Sequence, residues 1–347
     1  MSSFFSSSFP WEPMERIRSN MTNPYETRAA LSGVLNLGGF MPKLLRALAA
    51  LVLMIGAGTA HAASKLNVVT ATEDLAALAR EVGGDHINVD SIAKGYQDPH
   101  FVEPKPSFLL RLQKADLLIV VGLQLEIGWL PPLQTQSRNS KIQVGANGYL
   151  DASQFAKILE IPTGQITRAM GDVHPLGNPH YWLDPGNGRR IAKGIADKMA
   201  EMQPGDASYF QQRSADFDNR LAAAEKGWEA KMAPFRGRKI ITYHRSWPNF
   251  CEHYGLDVVD YIEPRPGIPP TPSHTLEVIN TMKRENIKLI FVEPYFDLRT
   301  PNSIASATGG DVVQIMPSVG GVKEITNYFQ LFDYDINLIA NAFNKVK

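Results

Sequence analysis

Cysteine is almost absent from this sequence, since Cys251 is the only one in 347 residues. A single cysteine excludes a disulfide within the chain, and no cysteine follows the apolar segment near the N-terminus, where a lipid would be attached. Cys251 lies in the pattern WPNFCEHY at residues 247–254. We expect it to be a small buried residue of a helix rather than a metal ligand.

The chain also lacks an excess of charge of either sign, with 35 Lys and Arg against 35 Asp and Glu. Residues 1–62 hold five basic and three acidic residues, so the remainder has 30 basic and 32 acidic residues, a net charge of −2. This balance predicts no nucleic-acid partner and no basic arm for an anionic membrane. With 44% hydrophobic residues, the chain is long enough for two lobes.

Residues 41–63 have the pattern of a secretory signal peptide. Lys43 and Arg46 supply positive charge, residues 47–57 form an apolar run too short for a typical membrane span, and AHA at residues 60–62 forms a cleavage site. We therefore expect cleavage near Ala62 and Ala63, a soluble periplasmic protein and no stable membrane insertion. We interpret residues 1–40 as a disposable leader or an over-extended start, with the true start at Met41. An uncleaved anchor is the alternative.

Beyond residue 63 the apolar pattern alternates between strands and helices, which predicts an α/β fold with parallel sheets. The unbroken apolar run ADLLIVVG at residues 115–122 is typical of a strand covered on both faces. Residues 206–232 contain one glycine and no proline, which predicts a helix about 40 Å long. We predict a leader and signal peptide at 1–62, an N-terminal lobe at 63–205, a linking helix at 206–233 and a C-terminal lobe at 234–347.

Three histidines lie where ligands bind in such a fold. His100 follows the second predicted strand, His180 lies in a loop rich in Gly, Pro and Asn at residues 171–185, and His244 ends a strand of the second lobe. Ligands of open α/β sheets bind at the carboxyl ends of strands, so the three side chains can meet between the lobes. Taken singly, each also fits a turn or strand-end histidine without a functional role.

Several separated motifs occur in a fixed order. They are DPH at 98–100, EPKPS at 103–107, KADLLIVVG at 114–122, NPHYWLDP at 178–185, YH at 243–244 and FVEP at 291–294. Together they resemble the cluster A-I (cluster 9) metal-binding proteins of ABC transporters, and in particular the ZnuA-like, TroA-like zinc group. The resemblance covers nearly the whole chain after the signal peptide. It implies two βα lobes joined by one long rigid backbone helix, with His100, His180 and His244 binding a metal ion at their interface.

The resemblance also implies a role. Members of the family capture a divalent metal in the periplasm and pass it to an inner-membrane ABC permease, so we expect a carrier rather than an enzyme, and a monomer. Neutral imidazoles suit Zn²⁺, whereas Mn²⁺ sites favour carboxylate oxygens, and manganese members carry a glutamate where this chain has His244. We therefore expect Zn(II) as the bound and transported ion. Manganese or another divalent metal is the alternative.

The sequence leaves the fourth ligand open. Many relatives place an acidic residue in the loop after the last strand, but this chain has MPSVGGVKE at residues 316–324. Water, Glu293 or Glu324 can complete a tetrahedron. The chain also lacks the long loop rich in His and Asp that many zinc members have before the second ligand. His174 therefore offers at most an auxiliary contact.

Two other functions would use the same residues. A secreted zinc-dependent hydrolase would combine the three histidines with a bound water and Glu293 as the base, but the sequence has no H-E-x-x-H signature. A binding protein for an organic ligand or a metal chelate would need an aromatic-lined pocket, which Tyr181, Trp182, Trp247 and Tyr295 can supply. Serine catalysis is not supported, because no G-x-S-x-G motif occurs.

Overall fold

The computed structural model describes residues 64–164, 167, 171 and 173–346. The predicted leader, signal peptide and cleavage site at residues 1–63 lie outside the described residues. In the part of the chain that the structure describes, no helix combines the length and the apolar character needed to cross a membrane.

Four parallel strands form a sheet in the first half of the chain. They are β1 (Leu66–Thr70), β2 (Ile87–Ser91), β3 (Leu117–Val120) and β4 (Tyr149–Asp151). Their order in the sheet is β2-β1-β3-β4. Every residue of β3 is buried, as expected for an apolar strand at the centre of a parallel sheet with both faces covered.

The second half of the chain repeats this topology. Its strands are β5 (Lys239–Thr242), β6 (Asp257–Tyr261), β7 (Leu289–Val292) and β8 (Asp311–Gln314). All pairs are parallel and the order is β6-β5-β7-β8. The prediction of an α/β fold with two parallel sheets is confirmed. Because the order is the same in both sheets, equivalent loops lie at the carboxyl edge of each.

Helices flank both sheets. Those of the described residues are α1 (Glu73–Gly83), α2 (Pro106–Lys114), α3 (Leu130–Gln136), α4 (Pro185–Met202), α5 (Ala207–Met232), α6 (Pro248–Tyr254), α7 (Pro272–Arg284), α8 (Arg299–Thr308) and α9 (Tyr328–Lys345). Cys251 is buried in α6 with a free thiol, as predicted, and burial raises the pKa of that thiol.

The long helix α5 has 26 residues, and at 1.5 Å per residue it is about 39 Å long. Its buried side chains recur mostly at spacings of three and four: Phe210, Ser214, Phe217, Leu221, Trp228 and Met232. This face packs against α1, α4 and α9. The largest cluster of buried apolar side chains continues from β1 and β3 through α5 and α9 to β5, β7 and β8. One core therefore supports both sheets, and the predicted long helix is confirmed.

The contact between α4 and α9 depends on a glycine. A Cβ on Gly188 would lie 2.3 Å from the hydroxyl oxygen of Tyr328, and that hydroxyl donates a hydrogen bond to the carbonyl of Trp182. We expect Gly188→Ala to lower the free energy of unfolding by about 1–3 kcal/mol because the methyl group overpacks this junction. Urea denaturation measures the change.

A matched control is Gly227→Ala in α5, where an added Cβ meets nothing within 4 Å. Alanine has less freedom in the unfolded chain and a higher helix propensity, so this variant should gain about 0.5–1 kcal/mol. Equal stability of the two variants would contradict the packing argument.

Candidate metal centre

His100 lies in the loop after β2 and is fixed by a turn with the sequence Asp-Pro-His. Oδ1 of Asp98 accepts hydrogen bonds from the backbone N–H of His100 at 2.9 Å and from its ring Nδ1 at 2.7 Å. The indole N–H of Trp129 donates to the carbonyl of Pro99 at 2.9 Å and holds the turn. Burial acts to raise the pKa of Asp98, but the hydrogen bonds and charge of His100 outweigh it and lower that pKa. Asp98 is therefore ionised and orients the ring through Nδ1.

His180 is fixed by a second turn of the same kind, Asn-Pro-His, between β4 and α4. Oδ1 of Asn178 accepts from the backbone N–H of His180 at 2.9 Å and from its ring Nδ1 at 3.0 Å. The side-chain amide of Asn178 donates to the carbonyl of Arg245 at 2.7 Å, which links this loop to the second half of the chain. Burial, followed by the neighbouring imidazoles, lowers the pKa of His180 well below its usual value. Its ring is neutral near pH 7.

His244 follows β5, and its backbone carbonyl accepts a hydrogen bond from the hydroxyl of Thr242 at 2.8 Å. Its ring Nδ1 lies 2.6 Å from Oε2 of Glu263, which follows β6. Burial acts to lower the pKa of His244, but Glu263 outweighs burial and raises it. A carboxylate behind an imidazole fixes the ring orientation and increases the basicity of the other nitrogen.

The three predicted histidines meet although they come from three loops. Their ring centroids are 5.1 Å apart for His100 and His180, 5.3 Å for His100 and His244, and 5.4 Å for His180 and His244. One ring nitrogen of each lies within 4.8 Å of the others. In a tetrahedral zinc site with bonds of about 2.0–2.1 Å, nitrogens lie about 3.4 Å apart. A contraction on the order of 1 Å would reach that spacing.

Two of the three ring nitrogens of this cluster have no hydrogen-bond partner in the fold. The Nε2 atoms of His100 and His180 are buried without a hydrogen-bond partner, an arrangement that typically costs about 1–3 kcal/mol per group. Such atoms call for an explanation, and coordination of an ion is one. With Nδ1 donating to an acceptor, the neutral ring has its lone pair on Nε2, which is the form of histidine that binds metals.

A fourth imidazole, His174, borders this cluster. Its ring centroid lies 5.3 Å from that of His100, and its Nδ1 lies 3.1 Å from the carbonyl oxygen of Leu123. Its Nε2 is also buried without a partner. Burial, then His100 and His244, lower the pKa of His174 to about 4. His174 is not a member of the group whose nitrogens lie within 4.8 Å of one another, so it stands just outside the other three.

The two acidic candidates for the fourth position differ in environment. The side chain of Glu324 is 57% exposed and lies 3.8 Å from Lys323, so it faces solvent. Glu293 follows β7 and is fully buried; its Oε1 accepts a hydrogen bond from Trp247 at 2.9 Å, and its Oε2 has no partner. Burial raises the pKa of Glu293 to about 7, against the lowering effect of His244. Neither carboxylate belongs to the 4.8 Å group.

Two cavities reach the cluster. One, of about 370 Å³, is lined in part by His174, His180, His244 and Arg245. The other, of about 260 Å³, is lined in part by His100, Val173 and His174. Val173 and His174 belong to both walls and lie between the cavities. The aromatic side chains considered for an organic ligand, Tyr181, Trp182, Trp247 and Tyr295, line neither cavity.

The side chains that orient the rings were not assigned a role from the sequence. For two of them the sequence does contain a signal, because Asx-Pro-His occurs twice, at residues 98–100 and 178–180. Each time, the Asx oxygen accepts from the backbone N–H and the ring Nδ1 of the histidine two residues later. No sequence signal marks Glu263 or the carbonyl of Leu123. Only the folded chain brings Glu263 to His244 and the Leu123 carbonyl to His174.

Together the fold and this site define a receptor for a metal ion, in which two parallel α/β sheets present buried imidazole nitrogens from loops at their carboxyl edges. A family model described as zinc-uptake complex component A, periplasmic (ZnuA), matches residues 68–342. The chain therefore belongs to the ZnuA family, and it is a metal-binding receptor of an ABC transporter. This confirms the family predicted from the motifs, and because the family is not enzymatic it excludes the hydrolase alternative.

Relatives that match most of this chain differ in the metal that their names state. The manganese ABC transporter substrate-binding lipoprotein PsaA of Streptococcus pneumoniae is 25% identical over 300 residues, covering 84% of this chain and 93% of that protein. The zinc-binding lipoprotein AdcA of Streptococcus pneumoniae is 22% identical over 309 residues, covering 86% of this chain and 60% of that protein. A crystal structure of a ZnuA deletion mutant with zinc bound is 27% identical, with a TM-score of 0.67, and covers 80% of this chain and 98% of that one.

Proposed function

We propose that this protein binds Zn(II) with His100, His180 and His244 and delivers it to the permease of an ABC transporter. The observation that supports the proposal best is the convergence of three ring nitrogens within 4.8 Å of one another. Each ring is held through Nδ1 by a side-chain oxygen, so the remaining nitrogens are directed toward a common centre before the ion arrives.

The donor set favours zinc over manganese. Imidazole nitrogen suits Zn²⁺, whereas Mn²⁺ prefers carboxylate and water oxygens. The nearby carboxylates of Asp98 and Glu263 bind the Nδ1 atoms of His100 and His244 instead of facing the centre. The relatives include both a zinc-binding and a manganese-transporting protein, so our choice of zinc rests on the ligand chemistry of this chain.

We further infer a periplasmic, monomeric carrier released by cleavage near Ala62 and Ala63. It would have lobes at residues 63–205 and 234–347, a linking helix at 206–233 and a removed leader at 1–62. The pattern of residues 41–63 supports cleavage. The compared streptococcal relatives are named lipoproteins, but the single cysteine of this chain is Cys251, which lies buried in α6 and far along the sequence from the signal segment.

A competition titration of zinc against manganese tests the choice of metal. We expect the metal-free protein to prefer zinc by at least about tenfold, or about 1.4 kcal/mol, because imidazole nitrogens dominate the site. A chromophoric chelator reports the free metal concentration, and metal analysis of protein purified without added metal provides an independent check. Mg²⁺, which takes oxygen ligands and retains water, is the negative control. A preference for manganese would refute the assignment.

A further inference from the structure

We propose that Nε2 of His174 supplies the fourth ligand of the metal, so that the loaded site has four imidazoles. This inference rests on the proposed function, since it completes the coordination of the same ion. It assigns to a loop residue the position that water, Glu293 or Glu324 would otherwise fill, and it makes the loop that carries His174 part of the binding event.

The two ring nitrogens of His174 are placed like those of His100 and His180. Its Nδ1 is occupied by a carbonyl oxygen at 3.1 Å, and its Nε2 is buried without a partner. Its centroid lies 5.3 Å from His100, a spacing within the range of 5.1–5.4 Å that separates the rings of the other three histidines. A histidine of the core would normally satisfy both nitrogens. His253 shares the buried Nε2 without a partner, but of the two only His174 combines it with a ring that adjoins His100.

Backbone contacts hold the His174 ring beside that of His100. The carbonyl that accepts from its Nδ1 belongs to Leu123, whose φ of 52° is uncommon for a residue other than glycine. On the other side of the cleft, a Cβ on Gly171 would lie 2.4 Å from the carbonyl oxygen of Pro266. Gly171 therefore contacts the second half of the chain and His174 the first, and Val173 and His174 line both cavities.

The other candidates fit the fourth position less well. Glu324 is exposed and faces Lys323. Glu293 has one oxygen engaged by Trp247. Neither Glu293 nor His174 belongs to the 4.8 Å group, but the ring of His174 lies 5.3 Å from that of His100. A fourth imidazole gives zinc a nitrogen donor that it accepts readily.

Zinc X-ray absorption on the full-length mature protein tests the proposal, because the scattering pattern of imidazole allows its rings to be counted. We expect four imidazoles in the wild type and three plus one oxygen in His174→Ala. The zinc affinity of this variant should fall by about tenfold, measured by chelator competition. His174→Asn, which keeps a short donor for the Leu123 carbonyl, should behave like the alanine variant if coordination and not loop anchoring is lost.

His274→Ala is the matched control. His274 is also half-buried and also has a ring nitrogen on a backbone carbonyl, that of Tyr261 at 2.8 Å, but it lines neither cavity. The His274→Ala substitution should leave the imidazole count and the zinc affinity unchanged.

Three imidazoles in the wild type, with no change of count or affinity in His174→Ala, would overturn this inference while leaving the three-histidine carrier intact. A wild-type protein that binds no zinc would overturn both.

Discussion

Replacing His180 with alanine should lower the zinc affinity by more than about 100-fold, or about 2.8 kcal/mol, because removing a ligand exceeds the 10- to 100-fold effect of removing the residue behind one. His180 is 1% exposed, and its Nε2 has no partner other than the proposed ion. Chelator competition with zinc measures the loss. Circular dichroism of the metal-free variant should show the wild-type helix and strand content, since the ring neighbours of His180 are His100, His244 and Trp182, none of which lies in a strand.

The control for this variant is His253→Ala in α6. His253 resembles His180 closely, because its Nδ1 lies 2.8 Å from Asp184 and its Nε2 is buried without a partner. It is not a member of the imidazole cluster. If His253→Ala reduced zinc affinity as much as His180→Ala, the effect would reflect a general disturbance of the fold, and the assignment of His180 would lose its support.

Zinc should also raise the melting temperature. An ion that binds only the native state stabilises it by about 4.1 kcal/mol at a free concentration 1,000 times its dissociation constant. For a chain of this size, that corresponds to an increase on the order of 10 °C. Differential scanning calorimetry with and without zinc measures the increase.

The same experiment on His180→Ala separates specific from adventitious binding. The variant should show little increase at the zinc concentration that saturates the wild type, because the site has lost a ligand. An equal increase in both proteins would locate the stabilising ion elsewhere. The absence of any increase in the wild type at saturating zinc would contradict native-state binding.

Much of the fold could be predicted because its signals are local. The apolar run at residues 115–122 contains β3, and the uninterrupted helical pattern at 206–232 contains α5 almost to the residue. In contrast, β4 was missed because it has three residues, Tyr149–Asp151, which is too short for any periodicity. Its place in the sheet is set by pairing with β3, which is a tertiary contact.

Some residues of the candidate site could likewise be predicted from local sequence signals, and others could not. His100, His180 and His244 could be proposed because each follows a predicted strand or precedes a helix, and the parallel topology brings such loops together. His174 could not be ranked with them, since the segment before it has no strand or helix pattern. Its position depends on the carbonyl of Leu123, 51 residues earlier. The role of Glu263 could not be predicted either, because Glu263 reaches His244 only when β6 pairs with β5.

The anchored Nδ1 atoms have a consequence for the speed of loading. Because Asp98, Asn178 and Glu263 already hold the rings, an arriving ion need not wait for tautomer exchange or ring rotation. What remains is the loss of its hydration shell, the release of any proton on His244 and a contraction of the cluster on the order of 1 Å. Mg²⁺ gives up its waters reluctantly and prefers oxygen, so under the proposed assignment it should enter the site slowly as well as bind weakly. A cluster of oriented imidazoles would then discriminate between ions by dehydration as well as by affinity.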